Sequence, residues 1–241
     1  MTDSHAFVAG ATGYTGQAVV EVLRGRGVKT TAHVRPDSSR REQWTERWEA
    51  LGADVDTTAW DVDALTRTFA AKSPTLVFAL LGTTRSRAQD EGRDAVEGYE
   101  TIDFGLTMML RRAAQACATN PRFVYLSAAG LREDTRNPYM AVRARVEAAL
   151  REGTLPYTIA RPSFITGPNR EQSRPLERLG ASVADTALSF AGMLGGRRLR
   201  DRYQSMDNTT LARGLVDVAL DPDGAGRIVE GEELRSRAGT A

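Results

Sequence analysis

The sequence predicts an α/β fold in which a doubly wound parallel sheet carries a small C-terminal substrate lobe. Short apolar runs alternate with longer segments of helical periodicity, which is typical of parallel strands covered by helices on both faces. The glycine-rich stretch GATGYTG lies between the first apolar run and the first helical segment, as in Rossmann-like folds. After Pro162 the alternation stops, and Gly, Arg and Pro accumulate. We therefore expect a Rossmann-like domain followed by a differently organised lobe.

Seven short apolar runs predict the strands of the sheet. The fourth, TLVFALLG, is the most continuously apolar, as expected of a strand that is buried on both faces. The crossovers between parallel strands should be right-handed. The predicted strands are Ala6–Gly10, Thr30–Val34, Ala53–Thr57, Thr75–Gly82, Arg122–Gly130, Tyr157–Pro162 and Arg227–Gly231.

Segments of helical periodicity separate these runs. In the first of them, four apolar residues share one face, and Gly27 follows as a residue that typically ends a helix. In the second, Trp44, Trp48 and Leu51 form the apolar stripe. The predicted helices are Gln17–Arg26, Ser38–Ala50, Asp63–Ala71, Val96–Ala118, Asn137–Leu150 and Thr209–Leu220.

Length and charge limit the possible classes of protein. We predict one nucleotide-binding domain over residues 1–241, with the lobe inserted at about 163–205. Lys and Arg number 32 and Asp and Glu number 31, so the charge gives no reason to expect a nucleic-acid partner. The sequence shows neither a signal-peptide pattern nor an apolar run that could cross a bilayer, so we expect a soluble, cytoplasmic protein. The tail from Arg235 is expected to fray.

Cysteine and histidine are scarce. One cysteine, Cys117, cannot form an internal disulfide, and with two histidines in the chain we predict no metal site. His33 lies inside a predicted strand and is expected to pack rather than to catalyse. His5 precedes the first predicted strand and is expected to be exposed.

The glycine spacing in GATGYTG predicts a dinucleotide site. Gly10 would let the chain turn sharply, Gly13 would let backbone N–H groups approach a pyrophosphate, and Gly16 would let helix and strand pack closely. The N-terminus of the next helix would face the anion with its partial positive charge. A merely tight turn is the alternative, but the strand–turn–helix context favours nucleotide binding.

The end of the second predicted strand indicates the type of cofactor. NAD sites usually place an acid there, about twenty residues after the glycines, to hold the ribose 2′-hydroxyl. Here the position is Arg35, whose guanidinium suits a 2′-phosphate, and Arg40 and Arg41 would add positive field. We therefore predict NADP(H). Asp37 leaves NAD open, and Arg35 as a solvated residue is the alternative.

Asp61 and Val62 follow the third predicted strand. Both residues are candidates for contact with an adenine. The alternative is that Asp61 or Asp63 caps the next helix.

Four stretches of the sequence resemble an atypical short-chain dehydrogenase and, within that superfamily, the Tat-interacting protein family of NAD(P)H-binding proteins. They are GATGYTG, LLGTTRSRAQDEG, YLSAAG and ARPSFITGPNREQSRPLERL, and the resemblance extends from about Ala6 to Met206. The second and fourth stretches are the specific ones, because the first is shared by a great many enzymes.

The resemblance implies a set of cofactor contacts. Residues of the glycine turn, together with Arg35, would hold NADP(H), and residues after the fourth strand would lie near the middle of the cofactor. The implied contacts are Gly10, Thr12, Gly13, Tyr14, Thr15, Gly16, Arg35, Gly82, Thr83 and Arg85. Pro162 and the loop residues after it would form a wall over the nicotinamide.

The resemblance also implies catalytic residues. Ser127 stands where the family's serine polarises the substrate carbonyl, and Tyr139 stands where its tyrosine donates a proton. The lysine position is occupied by Arg143 and the second serine position by Ala128, which are two departures from the family pattern. Arg143 would hold the ribose and tune Tyr139, but unlike lysine it cannot pass a proton on.

The segment around Tyr139 also has a plain packing interpretation. Asn137 is a suitable N-cap and Pro138 a suitable first helical residue. In this interpretation Tyr139 packs against the core, and Arg143 pairs with Glu147 one turn later.

Two functions follow from these residues. The first is an NADPH-dependent oxidoreductase that reduces a carbonyl of a small molecule, and the Ser127–Tyr139 pair favours it. The second is an NADP(H)-binding regulator or redox sensor that acts through a protein partner, and Arg143 and Ala128 favour that one. Two arginines interrupt the outer face of the helix at 106–117, which pairs in many dimers of the superfamily, so we expect a monomer or a weak dimer.

Overall fold

The computed structural model describes residues 4–82, 94–163, 165–166 and 206–239. Seven strands form the main sheet, and two further short strands form a second, parallel pair. The strands are β1 His5–Ala9, β2 Lys29–His33, β3 Asp54–Asp56, β4 Leu76–Ala79, β5 Arg122–Leu126, β6 Tyr157–Arg161, β7 Ile165–Thr166, β8 Met206–Asp207 and β9 Arg227–Glu230.

The order of strands in the main sheet is β3-β2-β1-β4-β5-β6-β9, and every neighbouring pair is parallel. The order reverses between β1 and β4, because β2 and β3 lie on one side of β1 and the later strands of this sheet lie on the other. Open parallel sheets bind ligands in the crevice at such a point, outside the carboxyl ends of the strands. The predicted Rossmann-like parallel sheet is confirmed.

Helices cover both faces of the sheet. They are α1 Tyr14–Gly25, α2 Arg41–Ala50, α3 Val62–Lys72, α4 Ala95–Gly98, α5 Thr107–Gln115, α6 Pro138–Glu152, α7 Asn208–Leu220 and α8 Gly231–Ala238. The residues between α4 and α5, Tyr99–Leu106, continue the same helix as a π-helical segment. The single long helix predicted at Val96–Ala118 is therefore a helix in three parts.

Alternate residues of each strand supply the two apolar cores. Val8 joins the core beneath α1, α2, α7 and α8, whereas Phe7 joins the core beneath α3, α5 and α6. This is the period of two that a strand imposes on its side chains. The largest fully buried side chains are divided between both cores, with Trp48 in the first and Phe69 and Tyr125 in the second.

Two expectations about the chain ends are wrong. His5 is the first residue of β1 and is buried, with its ring nitrogens 2.8 Å from the Lys72 carbonyl oxygen and 2.9 Å from Thr31 Oγ1. The residues 235–238 are not frayed but belong to α8, where Arg237 forms ion pairs with Asp217 and Asp221.

Other expectations have mixed outcomes. His33 packs as predicted, buried against the rings of Phe7 and Trp60. The predicted lobe at 163–205 lies almost entirely outside the described residues, which include only β7 and Ser163 from it. Within the described part of the chain, no helix is both long and apolar enough to cross a membrane.

We expect Gly214→Ala to destabilise the protein by about 1–3 kcal/mol, the usual range for an overpacked core. A Cβ atom at this position in α7 would overlap the Leu234 carbonyl oxygen of α8. The measurement is the free energy of unfolding in urea. Gly25→Ala is the matched control, because a Cβ on this residue of α1 meets nothing within 4 Å. The control should be neutral or stabilising by up to about 1 kcal/mol. Wild-type stability of Gly214→Ala would contradict the close contact between α7 and α8.

Candidate functional site

The glycine turn between β1 and α1 is built from contacts that leave no room for side chains. Gly10 has φ 86°, and a Cβ there would lie 2.5 Å from the Leu80 carbonyl oxygen. A Cβ on Gly16 would overlap the Gly10 carbonyl oxygen, and one on Gly13 would lie 3.2 Å from it. The glycines therefore keep β1, α1 and the end of β4 in direct backbone contact.

Helix α1 begins directly after this turn. The helix begins at Tyr14, three residues before the predicted start, so Tyr14, Thr15 and Gly16 form its first turn. That turn contains no acidic residue, and its N-cap, Gly13, has no side chain that could cap the helix. Such a helix end attracts anions through its N–H groups and its dipole.

Beside the turn lies a polar cavity of about 340 Å³. Arg35 reaches it from beyond β2, with its Nε 3.8 Å from a carboxylate oxygen of Asp37. The guanidinium of Arg40 lies over the ring of Trp44, 5.4 Å from the centroid. The lining residues are Thr12, Arg35, Ser38, Ser39, Arg40 and Trp44. The guanidinium groups and hydroxyls of such a lining suit a phosphate.

Asp61 has a role within the chain. It is the N-cap of α3, where its Oδ1 accepts a hydrogen bond of 2.8 Å from the Ala64 amide. Val62 is the first residue of that helix and is partly exposed. The capping alternative is thus confirmed for Asp61, and the adenine contact of Asp61 and Val62 stays a prediction.

Gly82 follows β4 at the crevice where the strand order reverses. A Cβ on Gly82 would lie 3.5 Å from both Arg143 Nη2 and Asp103 Oδ1. The fold therefore brings Gly82 and Arg143 together. Thr83 and Arg85 lie outside the described residues.

Ser127 follows β5 and is buried, with 4% of its surface exposed. Its hydroxyl donates a hydrogen bond of 2.5 Å to Glu147 Oε1. Glu147 also accepts two hydrogen bonds from Arg161, of 3.0 Å from Nε and 2.6 Å from Nη2. The proton of the Ser127 hydroxyl is therefore directed at a buried carboxylate of α6.

Arg143 is buried one turn before Glu147 but does not pair with it, so the pairing considered from the sequence is wrong. Its Nη2 donates to Asp103 Oδ1 at 3.1 Å, and its Nη1 donates to the Leu126 carbonyl oxygen at 2.5 Å. Burial acts to lower the pKa of Arg143, but Tyr139, Tyr125 and Asp103 together raise it above its ordinary value. The guanidinium therefore remains a cation.

Tyr139 lies in the first turn of α6. The predicted cap is confirmed, since Asn137 Oδ1 accepts from the Met140 amide and Pro138 is the first helical residue. The half-buried Tyr139 ring has the Arg143 guanidinium over its face, 4.5 Å from the centroid. Tyr99 meets the same ring edge-on, with centroids 5.4 Å apart. Tyr139, Arg143 and Gly82 thus form one group at the crevice.

Pro162 follows β6, and its side chain is buried. Its carbonyl oxygen accepts a hydrogen bond of 3.1 Å from the Ala129 amide. This bond joins the segments that follow β5 and β6. The expected wall over the nicotinamide begins at this residue and otherwise falls on residues that the structure does not describe.

Sequence reasoning missed three charged residues of the site: Asp103, Glu147 as a partner of Ser127, and Arg161. A signal was available for Asp103. Tyr99, Thr107 and Leu110 flank it at helical spacing and are buried, so a carboxylate interrupts a buried stripe. A charge in such a stripe requires a partner of opposite sign.

Comparison with known proteins agrees with this geometry. A family model described as NAD(P)H-binding matches residues 10–191. The "Protein fmp52-1, mitochondrial" of Aspergillus terreus is 30% identical over 168 residues, which cover 68% of this chain and 65% of that protein, slightly less than two thirds of its length. Its namesake in Aspergillus oryzae is 27% identical over 216 residues, covering 88% of this chain and 84% of that protein.

Solved structures share the fold at low sequence identity. The UDP-glucose 4-epimerase of Thermotoga maritima superposes with a TM-score of 0.65 at 18% identity, covering 93% of this chain and 75% of that one. The Thermus thermophilus UDP-glucose 4-epimerase in complex with NAD gives a TM-score of 0.64 at 17% identity, covering 98% and 82%. At such identities the likeness concerns the fold alone.

The relatives also correct one expectation. The prediction of a cytoplasmic protein is wrong by this comparison, because all four matched relatives are named mitochondrial. That prediction relied on the lack of a signal-peptide pattern and of an apolar span, neither of which distinguishes the two compartments.

The nucleotide turn, the sheet order and the family model lead to one assignment. The match of 10–191 covers well over half of the chain and includes the glycine turn, the cavity beside it and α6. The chain belongs to the NAD(P)H-binding family.

Proposed function

We propose that the protein is an NADP(H)-dependent oxidoreductase that reduces a carbonyl of a small molecule. The observation that carries the proposal is the cavity beside the glycine turn, in which Arg35 and Arg40 provide two cations and Ser38 and Ser39 provide two hydroxyls. A 2′-phosphate on the adenosine ribose matches that lining in charge and in hydrogen bonding.

The choice between NADP and NAD depends on the residues after β2. No acid stands where NAD sites hold the ribose 2′-hydroxyl, since β2 ends at His33 and is followed by Val34 and Arg35. The Asp37 carboxylate pairs with Arg35 at 3.8 Å, and 73% of the Asp37 side chain is exposed. An exposed pair of this kind is weak, so a phosphate would displace Asp37 readily.

The residues at the glycine turn fit the rest of the cofactor. Gly10 and Gly16 allow the close backbone contacts from which α1 starts, and a pyrophosphate would bind at the first N–H groups of that helix. Gly82 would lie beside the middle of the cofactor, next to Arg143. When bound, NADPH would supply the hydride that reduces the substrate carbon.

Tyr139 is the proton donor in this proposal. Its O–H bond would break as the carbonyl oxygen gains the proton, leaving a phenolate beside the Arg143 cation. Arg143 would stabilise that phenolate but would not relay a proton, because a buried guanidinium with a raised pKa stays charged.

Ser127 receives a supporting role. Its hydroxyl already donates to Glu147, so it holds α6 against the ends of β5 and β6 through Glu147 and Arg161. This role differs from the one that the resemblance implies. In this proposal the carbonyl oxygen is polarised by Tyr139.

The second candidate function is an NADP(H)-binding regulator. The observation that favours it is that the Ser127 hydroxyl and the Arg143 guanidinium are both bound to buried carboxylates of the chain itself. A regulator would need the nucleotide cavity but not a proton donor. The two candidates therefore share the cofactor and differ at Tyr139.

We expect the wild type to bind NADPH more tightly than NADH, and Arg35→Ala to lose on the order of 10- to 100-fold in NADPH affinity because one charged hydrogen-bonding group is removed. NADH affinity should change little. Calorimetry on both cofactors measures this. Arg41→Ala is the control, since it removes the same charge from the same segment but Arg41 does not line the cavity. Equal wild-type affinities for the two cofactors would rule out the preference for NADP.

Tyr139→Phe should leave NADPH affinity within a few-fold, because the ring and its packing remain. Turnover should fall by about 10²–10⁴, the usual contribution of a positioned general acid. A screen of aldehydes, ketones and quinones followed by NADPH absorbance provides the assay. NADPH oxidation that survives Tyr139→Phe undiminished would remove Tyr139 from the mechanism. If the protein is instead a regulator, the wild type should turn over no carbonyl.

Ser127→Ala distinguishes support from catalysis. We expect a loss of stability of about 1–2 kcal/mol, because Glu147 loses one of its hydrogen bonds while Arg161 keeps the others. Turnover per folded molecule should fall by less than about tenfold. A loss of turnover as large as that of Tyr139→Phe, with unchanged stability, would instead indicate that Ser127 hydrogen-bonds the substrate carbonyl. Urea unfolding and turnover kinetics, measured on the same preparation, distinguish these two roles of Ser127.

A further inference from the structure

The π-helical segment Tyr99–Leu106 presents two residues towards Tyr139 and Arg143. A π-helix is rare, and single π-turns inside α-helices occur frequently at functional sites. Tyr99 and Asp103 lie four residues apart in this segment and are 8% and 1% exposed. The segment packs against α6, the helix that carries Tyr139.

Asp103 fixes the position of Arg143. Its Oδ1 lies 3.1 Å from Arg143 Nη2. Only 1% of the Asp103 side chain and 7% of the Arg143 side chain are exposed. On the other side of the guanidinium, Nη1 donates to the Leu126 carbonyl oxygen and lies 3.4 Å from the Tyr125 hydroxyl. A carboxylate and a strand terminus therefore hold the guanidinium from two directions.

The fixed guanidinium in turn holds the ring of Tyr139. It lies over one face at 4.5 Å, a distance at which a cation is attracted to the ring quadrupole. Tyr99 meets the ring at an interplanar angle of 65°, which is the favourable edge-to-face arrangement. The same π-helical segment thus contacts Tyr139 directly through Tyr99. It also supplies Asp103, the carboxylate that orients the guanidinium of Arg143 over the Tyr139 ring.

We propose that Asp103 and Tyr99 are positioning residues that fix the ring of Tyr139, Asp103 acting through Arg143. The clamp formed by Tyr99, Asp103 and Arg143 is a property of the folded chain. Its importance for turnover rests on the proposed function, in which Tyr139 donates a proton.

The clamp also determines how Tyr139 recovers its proton. In a reduction the Tyr139 O–H bond breaks and the carbonyl oxygen gains the proton. Arg143 cannot replace it, because a guanidinium stays charged in a protein and the Asp103 carboxylate beside it favours the charged form. The phenolate therefore takes its next proton from a water molecule, which leaves hydroxide to the solvent.

The test is 19F NMR on protein that contains 3-fluorotyrosine at its six tyrosines. Tyr139→Phe assigns the resonance of Tyr139. In the wild type we expect this resonance to lie away from that of free 3-fluorotyrosine. In Asp103→Asn, which removes the charge that orients Arg143, it should move towards the free value. The resonances of Tyr14 and Tyr157 serve as references and should stay in place.

Glu100→Gln is the matched control. Glu100 lies in the same π-helical segment and pairs with Arg145 of α6 at 2.6 Å, but both side chains are about half exposed. Its loss removes a carboxylate between the same two elements without touching the clamp. The Tyr139 resonance should be unchanged in this variant.

A second variant covers the case in which Asp103→Asn does not fold, since an unpaired buried cation is strongly destabilising. Asp103→Asn combined with Arg143→Met leaves no buried charge and should fold. It also lacks the cation over the ring, so the Tyr139 resonance should move here too. A resonance that stays at its wild-type position in both variants would overturn the clamp.

Kinetics then separates the clamp from the proposed function. We expect Asp103→Asn to lower kcat by about tenfold or more while the Kd for NADPH stays within a few-fold, because misplacement of a catalytic group costs rate. A moved resonance with unchanged kcat would overturn the importance of the clamp for turnover. If the wild type turns over no carbonyl, the proposed function fails and the NMR result still decides the clamp.

Discussion

The rest of the site depends on one constraint, the direct backbone contact between the glycine turn and the end of β4. Gly10 lies against the Leu80 carbonyl oxygen, and Gly16 lies against Gly10, so neither position accepts a Cβ. Because the backbones meet there, α1 starts directly over the ends of β1 and β4 and points its N-terminus into the crevice where the strand order reverses. The cavity at Arg35 and the group around Gly82 lie on either side of that turn. A larger residue at Gly10 or Gly16 would separate these backbones and shift the cavity at Arg35 relative to the group around Gly82.

Helix α6 is held by two buried charges of opposite sign that do not pair with each other. Arg143 and Glu147 are one turn apart, yet Arg143 bonds to Asp103 and the end of β5, and Glu147 bonds to Ser127 and Arg161. An internal pair would have satisfied both charges within one helix. The observed pairs instead tie α6 to the π-helical segment on one side and to β5 and β6 on the other. Breaking either one would leave a buried charge alone, which usually costs about 3–5 kcal/mol, so the position of Tyr139 on α6 is strongly determined.

The features that the sequence predicts are those that depend on near neighbours along the chain. The glycine turn, the Asn137 cap and the parallel strands follow from local spacing and periodicity. The pair of Arg143 and Asp103 joins residues 40 positions apart, and His5 finds its partners 26 and 67 positions away, so no local pattern indicates either. The π-helical segment was missed for a different reason, because eight residues are too few for its period to be distinguished from that of an α-helix.

The Ser127 hydroxyl decides how this site differs from the pattern it resembles. To polarise a carbonyl, the hydroxyl would have to leave Glu147 and give up a hydrogen bond to a charged group, worth roughly 1.5–3 kcal/mol. Arg161 would still hold both carboxylate oxygens, so Glu147 would not be stranded, and the new bond to a neutral carbonyl would return about 1 kcal/mol. The net cost slows a reaction through Ser127 but does not forbid it. Tyr139 needs no such exchange, because its ring is already fixed at the crevice by Arg143 and Tyr99. For the proposed reduction, the physical balance therefore favours Tyr139 as the proton donor and Ser127 as the residue that holds α6 against the sheet.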